Sequence, residues 1–217
     1  MLDALISFDR MGIVHCDIKS TNICLANEAA TQFKLIDMGS AVLTYDNHHS
    51  YTQSRHNRAP EVILGAQWGA KVDLWSLGCV MAELRMGAPL FPYPTTEQVL
   101  AAQSAICGPF PMWMQNDAPL SAESFVTGRV YEVDPPAVPS GVYLLRNLPG
   151  CELQSVLAEH PVPPEFGDTA GLDSMLTALL TVDPAARPSA EEAVSLPFMQ
   201  EHWPGPAAQG TVDGMAD

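Results

Sequence analysis

The chain has 217 residues, 47% of them hydrophobic, and a net charge of −15. This length and apolar content suit one globular domain with its own core. The acidic charge argues against nucleic acid as a direct partner, because phosphates would be repelled. It is compatible with basic protein substrates, or simply with a well-solvated acidic surface. No apolar run reaches the ~18 residues of a membrane span, so no membrane partner is expected.

The five cysteines favour a reducing compartment. Their number is odd and no two are spaced as C-x-x-C, which disfavours both a disulfide framework and a structural zinc site. With no targeting signal in view, the cytoplasm or the nucleus is the expected location. The oligomeric state is left open.

Hydrophobic periodicity in the first half predicts mainly helices. A first helix is expected to end at Gly12, and two strand-like runs, 23–25 and 33–36, are expected to form a hairpin. Residues 39–58 are polar and aperiodic, which is typical of a long functional loop. Residues 71–86 are apolar on nearly every side and predict a buried helix.

The second half is interrupted by prolines. Residues 109–168 contain ten of the nineteen prolines and are predicted to form an irregular surface insertion. Residues 201–217 are predicted to be a disordered tail with little to bury. Further helices are expected from Thr95 or Thr96 to about Ile106, at 151–159, at 172–180, and after Ser189, where Glu192 completes a capping box.

The strongest chemical signal is the string His-Cys-Asp-Ile-Lys-Ser-Thr-Asn at 15–22, followed by Asp-Met-Gly at 37–39. Phosphoryl transfer needs a group that accepts a hydroxyl proton, oxygen ligands for Mg²⁺, and positive charge near the phosphate. Asp17 suits the first task and Lys19 the third. Asn22 and Asp37 suit the second. The alternative for each is an ordinary turn residue or an exposed charge.

Three further motifs follow in order: Ala-Pro-Glu at 59–61, Asp-Leu-Trp-Ser-Leu-Gly at 73–78 and Asp-Pro-Ala-Ala-Arg at 183–187. Together with the first two, they resemble the C-terminal lobe of eukaryotic protein kinases over residues 1 to about 200. The resemblance implies a mainly α large lobe with a short β-hairpin beside the catalytic loop. It also implies ATP and Mg²⁺ as cofactors, and transfer of the γ-phosphoryl group to protein serine or threonine hydroxyls, with dual specificity as an open variant.

The same resemblance assigns four architectural residues. It implies that His15 packs to hold the catalytic loop and that Asp73 hydrogen-bonds the backbone of that loop. Asp73 could instead only favour a helix N-terminus through the dipole. Glu61 and Arg187 are implied to form a buried ion pair, the alternative being two unrelated surface charges.

The segment 53–65 resembles the CMGC group, closest to its dual-specificity tyrosine-regulated and cdc-like kinases. Cys16 replaces the arginine that normally grips an activation-loop phosphate, so that contact is excluded. Phosphorylated Tyr51 is predicted to pair with Arg55 or Arg58, which offer fork-shaped donors. The alternative is an unmodified loop tyrosine.

No glycine-rich G-x-G-x-x-G and no strand lysine of the V-A-I-K type precede Asp17, so we expect the N-terminal lobe to be absent. Little ATP affinity and negligible turnover are therefore expected for this chain alone. A second hypothesis is a non-catalytic lobe that acts as a binding or scaffold module. Serine and threonine at 20–21, and Asn57 in place of an aromatic residue, favour that hypothesis. A third is an unrelated helical domain with chance motifs.

Overall fold

The computed structural model describes residues 1–27, 32–45, 52–118, 125–126, 129–130, 152–162 and 170–202. Tyr51, most of the predicted proline-rich insertion and nearly all of the predicted tail lie outside these residues. The helices are α1 Leu2–Arg10, α2 Pro60–Ile63, α3 Lys71–Met86, α4 Thr96–Cys107, α5 Met112–Asn116, α6 Leu153–Ala158, α7 Ala170–Leu179, α8 Ala190–Val194 and α9 Pro197–His202.

The described strands form three small antiparallel pairs. They are β1 Ile13–Val14, β2 Ile23–Leu25, β3 Phe33–Leu35, β4 Val42–Leu43, β5 Phe125–Val126 and β6 Arg129–Val130. β2 pairs with β3 and brings Ile23 opposite Leu35, which is the predicted hairpin. β1 pairs with β4, and short 3₁₀ turns cover Ser20–Asn22, Met38–Ser40 and Arg55–Asn57.

Helix α3 is the centre of the fold. Its residues are divided between two hydrophobic clusters, one shared with α2 and α4 and the other with α1, α7 and α8. Trp75 is fully buried, and its ring stacks with Phe91 at 6.0 Å between centroids. The helix ends at Met86 and is capped by Gly87, whose φ of 76° is a left-handed conformation that suits glycine. Helix α3 is apolar on every side because both of its faces are buried, one in each cluster.

The helix caps follow the sequence prediction. Thr95 and Gln98 form a capping box at α4, and Ser189 and Glu192 form one at α8. Each box satisfies two backbone N–H groups that the first helical turn leaves without partners.

Three features differ from the prediction. The first helix ends at Arg10 rather than Gly12, and the loop 39–58 contains β4 and a 3₁₀ turn. Helix α5 lies inside the segment predicted to be irregular, and it forms around Met114, which is fully buried. Tertiary burial therefore decides its conformation, since a five-residue segment has little helical stability of its own. None of the described helices is long and apolar enough to cross a bilayer.

Candidate catalytic site

Asp17 is the centre of a hydrogen-bonded cluster at the start of the catalytic loop, residues 15–22. Its Oδ2 accepts from Lys19 Nζ at 2.7 Å and from Asn22 Nδ2 at 3.1 Å. Its Oδ1 accepts from Ser54 Oγ at 2.7 Å. Three donors therefore converge on one half-buried carboxylate, and three of the predicted site residues meet directly.

These donors determine the protonation of Asp17. Burial raises the pKa of its carboxyl, but the hydrogen bonds from Lys19 and Ser54 and the charge of Lys19 outweigh that effect. The pKa of Asp17 therefore lies below its ordinary value. At neutral pH the residue is an ionised acceptor, which suits a group that aligns a hydroxyl.

Asp37 directly follows a residue that is hydrogen-bonded to the catalytic loop. The N–H of Ile36 donates to the carbonyl of Asn22 at 2.9 Å, and His15 Nε2 lies 3.2 Å from the carbonyl of Ile36. Asp37 itself has a φ of 68°, and its Oδ1 accepts from the N–H of Gly39 at 3.1 Å. The hydrogen bond to Gly39 stabilises the strained backbone of Asp37, and the Asp37 side chain is exposed.

His15 lies near enough to Asp17 and Asp37 for both carboxylates to affect its pKa. Its ring is fully buried and stacks with Phe8 at 6.2 Å between centroids. Burial lowers the pKa of His15, while the Ile36 carbonyl and the charges of Asp17 and Asp37 oppose the shift only in part. A neutral, packed histidine suits a positioning role better than proton transfer.

Asp73 of α3 holds the backbone ahead of Asp17. Its two carboxylate oxygens accept from the N–H groups of His15 at 2.7 Å and Cys16 at 3.0 Å. Cys16 has a φ of 63°, a conformation that non-glycine residues adopt at a cost. Burial raises the pKa of Asp73 to about 7, although the two backbone bonds favour its ionised form.

Sequence reasoning missed Ser54 and Gln53. The side chain of Gln53 bonds the carbonyl of Val72 at 3.0 Å and Ser76 Oγ at 2.8 Å, and it accepts from the N–H of Ala59 at 2.9 Å. These bonds fix the segment that presents Ser54 to Asp17. Both residues lie in the segment 53–65, which carried a family resemblance but no sign of these particular contacts.

Arg55 and Arg58 occupy different environments. Arg58 is buried, and its guanidinium donates to the carbonyls of Thr52 at 2.7 Å and Gln53 at 2.6 Å. Arg55 is exposed and, with Lys19, lines a cavity of about 390 Å³ beside the catalytic loop. Of these two arginines, Arg55 is therefore the one whose side chain is open to solvent.

Glu61 and Arg187 form a two-pronged ion pair, with N–O distances of 2.7 Å and 3.0 Å. Both side chains have 0% of their surface exposed. The guanidinium also lies 5.1 Å from the ring centroid of Trp75. The pair joins the end of the segment that carries Ser54 to the chain ahead of α8.

The donor set fits Mg²⁺ bound together with phosphates. Within the described part of the chain, no three His, Cys, Asp or Glu side chains are grouped as a complete protein cage for a metal. Mg²⁺ in nucleotide sites needs only one or two carboxylates, because phosphates and water supply the remaining oxygens. The exposed carboxylate of Asp37 meets this need. The Oδ1 atom of Asn22 is not used by the amide's two bonds to Asp17.

Comparisons with known proteins identify the family. The model of the protein kinase domain family matches residues 1–199, and the chain belongs to that family. A crystal structure of a kinase domain superposes with a TM-score of 0.76 and 27% identity, over 91% of this chain and 62% of that one.

The similar relatives include kinases named as dual-specificity enzymes. A probable dual specificity protein kinase YAK1 homolog of Encephalitozoon cuniculi is 42% identical over 114 residues, which is 52% of this chain and 28% of the relative. The dual specificity tyrosine-phosphorylation-regulated kinase mbk-2 of Caenorhabditis briggsae is 30% identical over 231 residues, which is all of this chain and 28% of the relative. The chain thus spans about a quarter of the length of these relatives. The family as a whole uses ATP and Mg²⁺ and acts on proteins.

Proposed function

We propose that residues 1–200 are the large lobe of a protein kinase that transfers the γ-phosphoryl group of ATP to serine or threonine hydroxyls of proteins, with tyrosine as a further acceptor. The observation that carries this proposal is the convergence of Lys19, Asn22 and Ser54 on the Asp17 carboxylate, with distances of 2.7–3.1 Å. Such a cluster suits chemistry that depends on positioning and electrostatics rather than on a covalent intermediate.

Asp17 would accept the hydrogen bond of the attacking hydroxyl and align it. A strong general base has a pKa near the working pH, whereas the pKa of Asp17 is lowered by its donors. The residue would therefore take up the proton late, as the new bond to phosphorus forms. Ser54 and Asn22 hold the carboxylate in orientation throughout.

Lys19 would place its charge between Asp17 and the transferred phosphoryl group. Its ammonium lies 2.7 Å from Asp17 Oδ2 and 3.3 Å from Ser54 Oγ, so it is anchored on one side and accessible from the adjoining cavity. Asn22 and Asp37 would hold Mg²⁺, which supplies positive charge to the phosphates when it is bound. His15, Asp73, Glu61 and Arg187 would act as structural supports.

Substrate choice and regulation are part of the same proposal. The net charge of −15 favours basic protein substrates. Phosphorylated Tyr51 would pair with Arg55 or Arg58, which lie a few residues further along the chain. A Tyr51→Phe variant that keeps full activity would end this regulatory proposal. The cysteine usage favours the cytoplasm or the nucleus.

The test compares the 217-residue chain with a fusion to the preceding part of the kinase domain from the human dual specificity tyrosine-phosphorylation-regulated kinase 3, which is 40% identical over 108 residues. Phosphate transfer from radiolabelled ATP to a basic protein is measured. The fusion should be active and the chain alone should not be. Asp17→Asn in the fusion should lower kcat by about 100- to 10,000-fold.

Asp3→Asn is the matched control, because Asp3 is an exposed acid on α1 whose side chain makes no contact with the site. It should keep the activity of the fusion. A folded fusion that is inactive with Asp17 intact would refute the proposal.

That outcome would favour the second candidate, a binding or scaffold module. The observation in its favour is the exposed apolar surface of the hairpin, where Leu25 and Phe33 are 60% and 53% exposed. Apolar patches that remain exposed commonly mark interaction surfaces.

A further inference from the structure

A second cavity lies apart from the cavity that Lys19 and Arg55 line. It is enclosed by α1, the start of α3 and the start of α8, and its volume is about 210 Å³. Leu5, Leu74 and Ala190 are buried apolar members of its wall, and Phe8 adds an aromatic ring. This combination of apolar walls and a few polar groups is typical of small-molecule sites.

The polar groups of this cavity are mainly acidic. Among the described residues that line it, Asp73 and Asp9 are acidic and Lys71 is the one cation. Lys71 already donates to the carbonyl of Ala185 at 3.4 Å, and its charge also acts on Glu192. Asp73 is 2% exposed, and its carboxylate has lone pairs beyond the two used by backbone N–H groups. The cavity therefore suits a ligand with a cationic donor.

The same cavity touches the supports of the catalytic loop. The Asp73 carboxylate accepts hydrogen bonds from the N–H groups of His15 and Cys16, which directly precede Asp17. Phe8, on the other wall, stacks with His15 with an interplanar angle of 22°. A ligand between Asp73 and Phe8 would therefore contact both groups that position the loop.

We propose that this cavity is an allosteric site for a small aromatic amine, meaning a single ring with a short ammonium arm. The volume of about 210 Å³ equals that of about seven waters at ~30 Å³ each, which a ring of this kind fills. The ring packs among Leu5, Phe8 and Leu74, and the ammonium donates to Asp73. The bound ligand changes the environment of the catalytic-loop backbone through Asp73.

The experiment is a ¹H–¹⁵N NMR titration of the full 217-residue chain with benzylamine, with benzyl alcohol as a neutral probe of the same size. Benzylamine should bind saturably with a Kd of about 1 mM, a typical strength for so few atoms. The amide signals of Leu5, Leu74 and Ala190 should shift, together with those of His15 and Cys16. Benzyl alcohol should bind at least about tenfold more weakly, because it lacks the charge.

Ala190→Leu is the matched variant, since its longer side chain fills the cavity. It should weaken benzylamine binding at least about tenfold. If this variant does not fold, Ala70→Leu, from the α3 side of the cavity, replaces it. The chemical-shift changes of the unaltered chain test the site without any variant. The site is refuted by non-saturable shifts, by shifts around Lys19 and Leu90 instead, or by unchanged binding in a folded, filled variant. Equal binding of benzyl alcohol refutes the cation preference, and unshifted His15 and Cys16 signals refute the coupling to the loop.

Discussion

Replacing Arg187 with methionine should destabilise the chain more than replacing Glu61 with glutamine. Among the described residues, the Glu61 side chain bonds only Arg187, so Arg187→Met leaves a fully buried carboxylate with no partner. The expected cost is about 3–5 kcal/mol, typical of breaking a buried pair from one side. This is a large part of the ~5–15 kcal/mol by which domains are stable.

Glu61→Gln leaves the charge of Arg187 buried, but that guanidinium keeps several other partners. Besides Glu61, the Arg187 guanidinium donates to the carbonyls of Thr181 and Lys71, both at 2.9 Å, and lies over the ring of Trp75. The expected cost is about 2–3 kcal/mol, since a charge-assisted hydrogen bond is weakened while others remain. The double variant should cost less than the sum of the single variants, by about 1–3 kcal/mol.

The free energy of unfolding is measured by urea denaturation followed by circular dichroism. A thermal scan gives a second measure, in which Arg187→Met lowers Tm by about 6–20 °C at ~2–4 °C per kcal/mol. The prediction assumes that Glu61 is left without a partner whereas Arg187 is not. It would be refuted if both single variants lowered the free energy of unfolding equally, or if Arg187→Met lowered it by less than ~1 kcal/mol.

Three further predictions concern α3 and the loop. Burial raises the pKa of Asp73 from 3.8 to about 7, so the stability it contributes is full below pH 3.8 and is lost as pH rises through about 7. Asp73→Asn should remove this fall in the urea midpoint between about pH 4 and pH 7, while costing about 1–3 kcal/mol through a lost acceptor. Gly78→Ala should cost about 1–3 kcal/mol, because its Cβ would lie 3.0 Å from a side chain of α7. The control Gly69→Ala, with open space around it, should stay within ~0.5 kcal/mol. Ser54→Ala should raise the pKa of Asp17, measured by ¹³C NMR titration.

Each of these predictions has a contradicting outcome. A pH dependence in Asp73→Asn equal to that of the unaltered chain would assign the effect to other groups. Equal costs for the two glycine variants would mean that α3 and α7 are packed less tightly than the distances indicate. An unchanged Asp17 pKa in Ser54→Ala would mean that the serine hydroxyl does not support the ionised form.

Local patterns predicted much of the fold. The hairpin follows from two short apolar runs with a polar stretch between them, and the capping box at α8 follows from Ser189 and Glu192, three positions apart. The buried helix α3 follows from apolar residues on every side. In each case the interacting residues are close in sequence, so the local structure can be predicted without knowing the tertiary fold.

The missed features depend on contacts distant in sequence. Ser54 reaches Asp17 across 37 positions, and Gln53 reaches Ser76 across 23. Neither residue type marks such a contact, since serine and glutamine are common in loops. The pairing of β1 with β4 joins two-residue strands, which are too short for an alternating pattern. Candidate residues such as Asn22 and Asp37 could be named from sequence, whereas the contacts of Gln53 and Ser54 could not.

The most direct test of a shared metal–nucleotide site is paramagnetic broadening of the NMR signals of the fusion protein by Mn²⁺ with ATP, because Mn²⁺ takes the same oxygen ligands as Mg²⁺. Signals of Asn22 and Asp37 should broaden together and before the rest, and Asp37→Asn should abolish the effect at both positions. Broadening that leaves one of the two unaffected, or that persists at Asn22 in the variant, would contradict a common site.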